Sequence, residues 1–165
     1  MPSPTPTSNR GKVAGGAAVI AIAAVLVSKW EGVRYQAYPD PATHGAPWTA
    51  CYGHTGPEVR PGTSFTKAQC DAFLRQDLAQ SQRILRRCVG RPMPQSVESA
   101  YISLVFNVGP APVCEPGRTP HAALQAGEWA RACKALDLYR QAAGRVMRGL
   151  VLRRADERKV CEAGL

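Results

Sequence analysis

Between Arg10-Gly11-Lys12 and Ser28-Lys29 the chain runs for fifteen residues, Val13 to Val27, without a single charge. A basic flank followed by an apolar run of this length has the layout of an export segment, with Arg10 and Lys12 retained on the cytoplasmic side. Eight of the fifteen are Ala or Gly, however, and such small residues contribute little transfer free energy. The affinity of the run for a bilayer is therefore marginal. Ile20, Ala23, Ala24 and Val27 also recur at i, i+3, i+4 and i+7, the stripe of a core-packing helix. The same segment suits a bilayer first and a protein interior later. Two other readings stay open: an ordinary buried first helix, and a signal peptide cleaved at Ala21-Ile22-Ala23.

The 165 residues make one domain's worth of chain, enough to bury a sizeable core. With 45% hydrophobic and 20% charged residues, disorder is excluded for most of it. No apolar run reaches the roughly 20 residues of a comfortable span, which excludes a polytopic membrane protein. The net charge of +9 draws the chain to anionic polymers. It is unevenly spread, with no acid before Glu31 and seven Arg or Lys within residues 140–159. Nucleic acid is disfavoured as a partner, because that stretch offers only Tyr139 for base stacking and no phosphate-cradling loop accompanies it. Cys51, Cys70, Cys88, Cys114, Cys133 and Cys161 form an even, dispersed set. Zinc sites want close Cys pairs and none exists; Cys51-x-x-His54 supplies only two ligands, so no metal or other cofactor is expected. Three disulfides formed in an oxidising compartment fit better, with fifteen connectivities open.

Further along, residues 34–38 and 48–52 are short β-prone runs separated by Pro-rich breaks. Thr66-x-x-Gln69 reads as a capping box opening a helix over 67–88. A central core helix follows Pro94, capped by Ser96 and carrying Val97, Tyr101, Leu104, Val105 and Val108, until Gly109-Pro110 stops it. Shorter helices are predicted near 119–126, 128–139 and 149–162. The sum is an α+β fold, a small β-hairpin region followed by a helical bundle.

Glu31 closes the first apolar helix, Asp40 lies in a Pro-flanked turn, and Thr49 sits in a β-prone strand. Hydrolysis of a glycosidic bond needs a carboxylic acid to protonate the departing oxygen and a second group on the opposite face to handle water. Apolar surroundings penalise an ionised carboxylate, which suits Glu31 to the donor's part, whereas Asp40 in a polar turn stays charged. Thr49 offers a hydroxyl able to hold a water without competing as a base. By itself, this spacing of acids is common in hairpins and says little.

The surrounding residues say more. Trp30-Glu31-Gly32-x-Arg34-x-x-Ala37-Tyr38-x-Asp40 is followed by Trp48-Thr49-x-Cys51-Tyr52-Gly53-His54-Thr55-Gly56, and later by Leu104-Val105-Phe106-Asn107-Val108-Gly109 and Gly149-Leu150-Val151-x-Arg153-Arg154-x-x-Glu157-Arg158. Over roughly residues 20–162 this resembles the phage-type lysozymes, the muramidase endolysins of glycoside hydrolase family 24. The resemblance implies a lysozyme-like fold with a cleft between a β lobe and a larger helical lobe, and Glu31, Asp40 and Thr49 as catalytic residues. It implies no metal. The turn between Asp40 and Thr49 is lengthened by Thr43-His44-Gly45-Ala46-Pro47, which leaves Thr43 as a weaker candidate than Thr49. Cys51 stands where that strand often has Gly and is read as a disulfide partner of Cys70; Cys114 with Cys133 and Cys88 with Cys161 complete the expected set.

The N-terminus is similar to the signal-anchor-release subset of that family. The implied organisation is a disordered cytoplasmic leader over 1–12, an anchor and first helix over 13–28, and one catalytic domain over 29–165. The expected partners are peptidoglycan and, transiently through residues 13–27, the inner membrane of a host whose periplasm receives the enzyme; a monomer is expected. With residues 13–27 in lipid, Glu31 cannot complete the cleft, and departure of the segment would let it do so. The anchor holds no cysteine, so refolding of the released helix is the expected switch. His54 is a candidate support for the hairpin or for Asp40. Asn107, Arg153 and Arg154 are candidates for substrate or wall contact, with a plain folding role as the alternative. Three rival functions remain: a lytic transglycosylase, a non-catalytic cationic wall- or membrane-binding protein, and, least compatible with His44, His54 and His121, a zinc amidase.

Overall fold

The structure, a computed structural model, describes residues 10–40 and 45–165, with side chains from residue 15 onward. The expected leader over residues 1–9, together with Thr43 and His44, lies outside the described residues; the backbone of residues 10–12 already belongs to the first helix. That helix, α1 (Arg10–Glu31), leads into a hairpin of β1 (Arg34–Pro39) and β2 (Trp48–Cys51). A long helix α2 (Lys67–Val89) follows, then α3 (Gln95–Val108), α4 (Ala111–Cys114), α5 (Thr119–Ala126) and α6 (Trp129–Ala135). A 3₁₀ turn (Leu136–Leu138), a second hairpin of β3 (Gln141–Ala142) and β4 (Arg145–Val146), and α7 (Arg148–Glu162) complete the α+β fold.

The core gathers around α3. Every residue from Val97 to Val105 is buried, so this helix is apolar or satisfied on all sides, and α1, α2 and α7 pack around it. Helix α1 contributes Val19, Ala23, Leu26 and Val27, and Ser99 Oγ donates to the Val19 carbonyl at 3.2 Å. Burying Val19, Leu26 and Val27 stabilises the docked helix by roughly 1.5–3 kcal/mol each before entropy is counted. Before Lys29 the outward face of α1 carries no charge from residue 15 onward, with Ala18, Ala21 and Val25 exposed. Among the described residues no helix is long and apolar enough to cross a membrane.

Helix α2 opens with the predicted capping box: the Gln69 amide donates to Thr66 Oγ1 at 3.2 Å, and the Thr66 amide donates to Gln69 Oε1 at 2.8 Å. The β lobe is fastened along one face of it. Cys51 bonds covalently to Cys70, the Tyr52 hydroxyl donates to Asp71 Oδ1 at 3.0 Å, and the His54 ring stacks on Phe73 at 4.3 Å. Positions 70, 73, 74 and 77 share that face by helical spacing.

Three expectations change. Ser96 is not the cap of α3: the helix begins one residue earlier behind Pro94, whose extended backbone ends the preceding turn, and the Ser96 hydroxyl is buried within the first turn. The β3–β4 hairpin was not foreseen, because its turn is Ala143-Gly144 rather than a recognisable Asn-Gly. Both residues take the positive φ, 49° and 73°, that a tight hairpin turn demands. Two disulfide pairings differ as well. Cys51–Cys70 forms as expected, but Cys88 pairs with Cys114 and Cys133 with Cys161, not Cys114 with Cys133 or Cys88 with Cys161. The end of α2 lies against α4, and α6 lies against α7, so packing between these neighbours selects the partners.

Non-reducing peptide mapping is therefore expected to recover the 51–70, 88–114 and 133–161 bridges. The Cys133→Ser/Cys161→Ser variant, which opens a crosslink of sequence separation 28, should lose roughly 3 kcal/mol in urea unfolding.

Candidate active site

Glu31 is the last residue of α1, and Gly32 after it takes φ 66°, a left-handed conformation that ends the helix and turns the chain into β1. A Cβ at position 32 would meet nothing within 4 Å, so the backbone angle alone calls for glycine.

The surroundings of Glu31 are not the apolar niche expected from its sequence neighbours. Its Oε1 accepts from Arg153 Nη1 at 2.6 Å, and the side chain keeps 26% of its surface exposed. Residues adjacent in a helix point in different directions, so what surrounds Glu31 is set by α7 rather than by the run that precedes it. Arg153 is itself buried and tightly held. Its Nε donates to Glu157 Oε1 at 3.1 Å, and Ser103 Oγ of α3 donates to the same oxygen at 2.6 Å. Arg154, fully buried, donates through Nη2 to Asn107 Oδ1 at 2.6 Å; its Nε lies 3.2 Å from Glu157 Oε2 without the alignment of a hydrogen bond. Burial pushes the Glu157 carboxyl above its ordinary range against the pull of both arginines and Ser103. Burial likewise lowers Arg154 to about 10, which leaves it charged at neutral pH.

These contacts decide between the readings of three candidates. Arg153 and Arg154 are sealed inside the helical lobe and cannot meet a glycan or the wall; Asn107, half-buried, gives its carbonyl oxygen to Arg154. The basic C-terminal stretch is not one face, because α7 turns positions 153 and 154 inward and leaves 148 and 159 outside.

Asp40 follows directly on Pro39, the last residue of β1, and is half-buried; the Gly45 amide donates to its carbonyl at 2.9 Å. Thr49 pairs with Tyr38 across the hairpin, and Asp40 follows two residues after Tyr38, just beyond the end of β1. The Thr49 hydroxyl is buried and has no hydrogen-bond partner among the described residues. Asp40 and Thr49 thus share one end of the hairpin, and Glu31 stands at the helix end that feeds its first strand.

His54 does not hold Asp40. Its Nδ1 lies 2.8 Å from Asp77 Oδ2 and its Nε2 lies 2.7 Å from Glu58 Oε1, which makes it a clamp between the β lobe and α2. Burial works against charging the ring, but the hydrogen bonds to Glu58 and Asp77 and their negative charge outweigh it, and the His54 pKa is raised. The bond to His54 lowers Glu58, whereas burial raises Asp77. The parts sequence reasoning missed are Ser103, Glu58, Asp77 and the role of Glu157. A usable signal existed for the last, since Arg153, Arg154 and Glu157 stand at i, i+1 and i+4 on one helix.

Removing Arg153 takes one of two guanidinium partners from the buried Glu157, and Arg153→Ala should cost roughly 3–5 kcal/mol in denaturant unfolding. The His54 clamp has a defined pH sense. Its folded-state pKa lies above the unfolded value of about 6.5, so its contribution is present in full below that pH and fades as pH rises through the folded value. The Tm gap between the parent and His54→Gln is therefore expected to narrow as pH is raised from 6 towards 9 (roughly that window, by the reference value).

Known proteins resemble this chain over most of its length. The family model described as phage lysozyme matches residues 28–157. The SAR-endolysin of Enterobacteria phage P21 is 35% identical over 164 residues, covering 94% of this chain and 96% of that protein. The muramidase domain of SpmX from Asticaccaulis excentricus superposes with a TM-score of 0.74 at 28% identity, over 85% of this chain and 94% of that one. The active form of the P1 phage endolysin Lyz gives 0.72 at 27% identity, over 89% and 92%. The secreted inactive form of the same endolysin gives only 0.51, over 67% and 78%. With the family model matching residues 28–157 and a relative 35% identical over 94% of its length, the chain belongs to the phage lysozyme family.

Proposed function

We propose that this chain is an endolysin that hydrolyses the β-1,4 bond between N-acetylmuramic acid and N-acetylglucosamine in peptidoglycan, and that Glu31, Asp40 and Thr49 carry the reaction. Glu31 donates its proton to the departing glycosidic oxygen through Oε2, since Arg153 takes Oε1. Asp40 takes a proton from a water that the Thr49 hydroxyl helps to hold on the opposite face of the sugar; the water oxygen bonds to the anomeric carbon as its bond to the departing oxygen breaks, which inverts that carbon. The observation that supports this reading is the pairing of an acid fixed by a buried arginine with a buried Thr49 hydroxyl that has no partner among the described residues, on the adjoining hairpin. A hydroxyl left without a partner costs about 1–3 kcal/mol, and a water held for reaction would satisfy it.

The N-terminal segment is read as a releasable anchor that is retained, not cleaved. Ala23 is fully buried against α3, and loss of residues 13–23 would strip Val19 and Ala23 from the core. The better superposition on the active than on the inactive form of the P1 endolysin fits a chain whose first helix has docked. Its small residues make membrane residence weak, which a reversible anchor requires, and export would deliver the enzyme to the periplasm with α1 still in the inner membrane.

On purified peptidoglycan, Glu31→Gln and Asp40→Ala are each expected to lower turnover roughly 10²–10⁴-fold with the fold intact. Products should carry reducing ends; anhydro-muropeptides would instead identify a transglycosylase. Intact mass of the active periplasmic form should include residues 13–27.

A further inference from the structure

Arg153 touches Glu31 at one oxygen. One contact at the tip of a side chain does not fix the rotation of the helix end that bears it. A second contact does. Asp156 lies one turn beyond Arg153 on α7 and faces the last turn of α1. Its Oδ2 accepts from Trp30 Nε1 at 3.1 Å and from Lys29 Nζ at 2.5 Å, and the Lys29 ammonium lies 5.3 Å from the Trp30 ring centroid. Residues 29, 30 and 31 are thus held by two residues of α7 spaced i, i+3 on one face.

The two bonds to Asp156 are unequal. The Lys29 side chain is 60% exposed and Asp156 32%, so water and salt screen that ion pair and it contributes little. The indole bond is partly buried, its acceptor is charged, and its donor is a large rigid ring. It therefore sets where Trp30 sits. Successive residues of a helix are 100° apart, so a turn that lets Trp30 swing carries Glu31 with it.

We propose that Asp156 is a positioning residue for the proton donor: by holding the Trp30 indole it fixes the rotation of the last turn of α1, and this delivers the Glu31 carboxylate to Arg153 and to the scissile bond. The contact exists only when α1 is docked against α7, so it couples docking of the first helix to competence of the acid. The inference rests on the assignment of Glu31 as the acid.

The test is steady-state kinetics on purified peptidoglycan at a temperature where circular dichroism shows every variant folded. Asp156→Ala should lower kcat about tenfold and leave KM within about twofold, as a small misplacement of a reacting group does. Asp156→Asn keeps an acceptor oxygen for the indole and should recover most of kcat. Trp30→Phe keeps the packed ring but not the donor, should match Asp156→Ala, and carries the test alone if that variant does not fold. The double variant Trp30→Phe/Asp156→Ala should be no slower than either single one. Parental kcat in Asp156→Ala and Trp30→Phe, with only Tm lowered, overturns the proposal, as does an equal loss in Asp156→Asn and Asp156→Ala. Glu31→Gln separates the two levels: if it is inactive while the Asp156 variants are normal, only the positioning role fails. If it is active, the assignment of the acid fails.

Discussion

Two arginines and a glutamate taken out of water together dominate the interior of this protein. Glu157, Arg153 and Arg154 are each buried to within a few per cent, and such charges are tolerable only when all partners arrive at once. Ser103 from α3 and Asn107 at its end complete the cluster, so α3 and α7 cannot separate without stranding charge. One guanidinium nitrogen of Arg153 is left over, and it reaches Glu31. Glu31 is thus held by a group whose own place is over-determined.

The β lobe obeys a different logic. Its hairpin is too small to be stable alone, and what makes it rigid is α2. Residues 51, 52 and 54 meet 70, 71, 73 and 77 in order, through a covalent bond, a hydroxyl, a ring stack and a shared proton. Each rung adds little, yet together they fix the pleat on which Thr49 sits. Its hydroxyl, buried and without a partner among the described residues, is a cost the lobe carries at that position.

How much of this could be read from the sequence depended on whether the determinant was local. The capping box at Thr66, the buried α3 and the stripe on α1 are written within a few neighbouring residues, and they appear where expected. Glu31, Asp40 and Thr49 stand out in the sequence as candidates because of the glycines and the Tyr-Gly-His run around them. The company each residue keeps does not. Glu31 meets Arg153 across 122 positions, and no spacing rule reports that separation. Arg153 and Arg154 looked like surface charge because charge usually is; only the opposing Glu157 and Ser103 make their burial affordable. The cysteines were countable, but their pairing follows from which helices lie side by side.

All three crosslinks fall after residue 50, and α1 lies outside every loop they close. Oxidation can therefore mature the remainder of the molecule into a stiff scaffold while the first helix is still elsewhere, and it confers no covalent commitment on that helix. The entropy removed by sulfur chemistry belongs to the body that receives α1, whereas α1 itself is held there by packing and a few polar bonds alone. Durability is locked in by covalent bonds beyond residue 50, and the first helix has none of them.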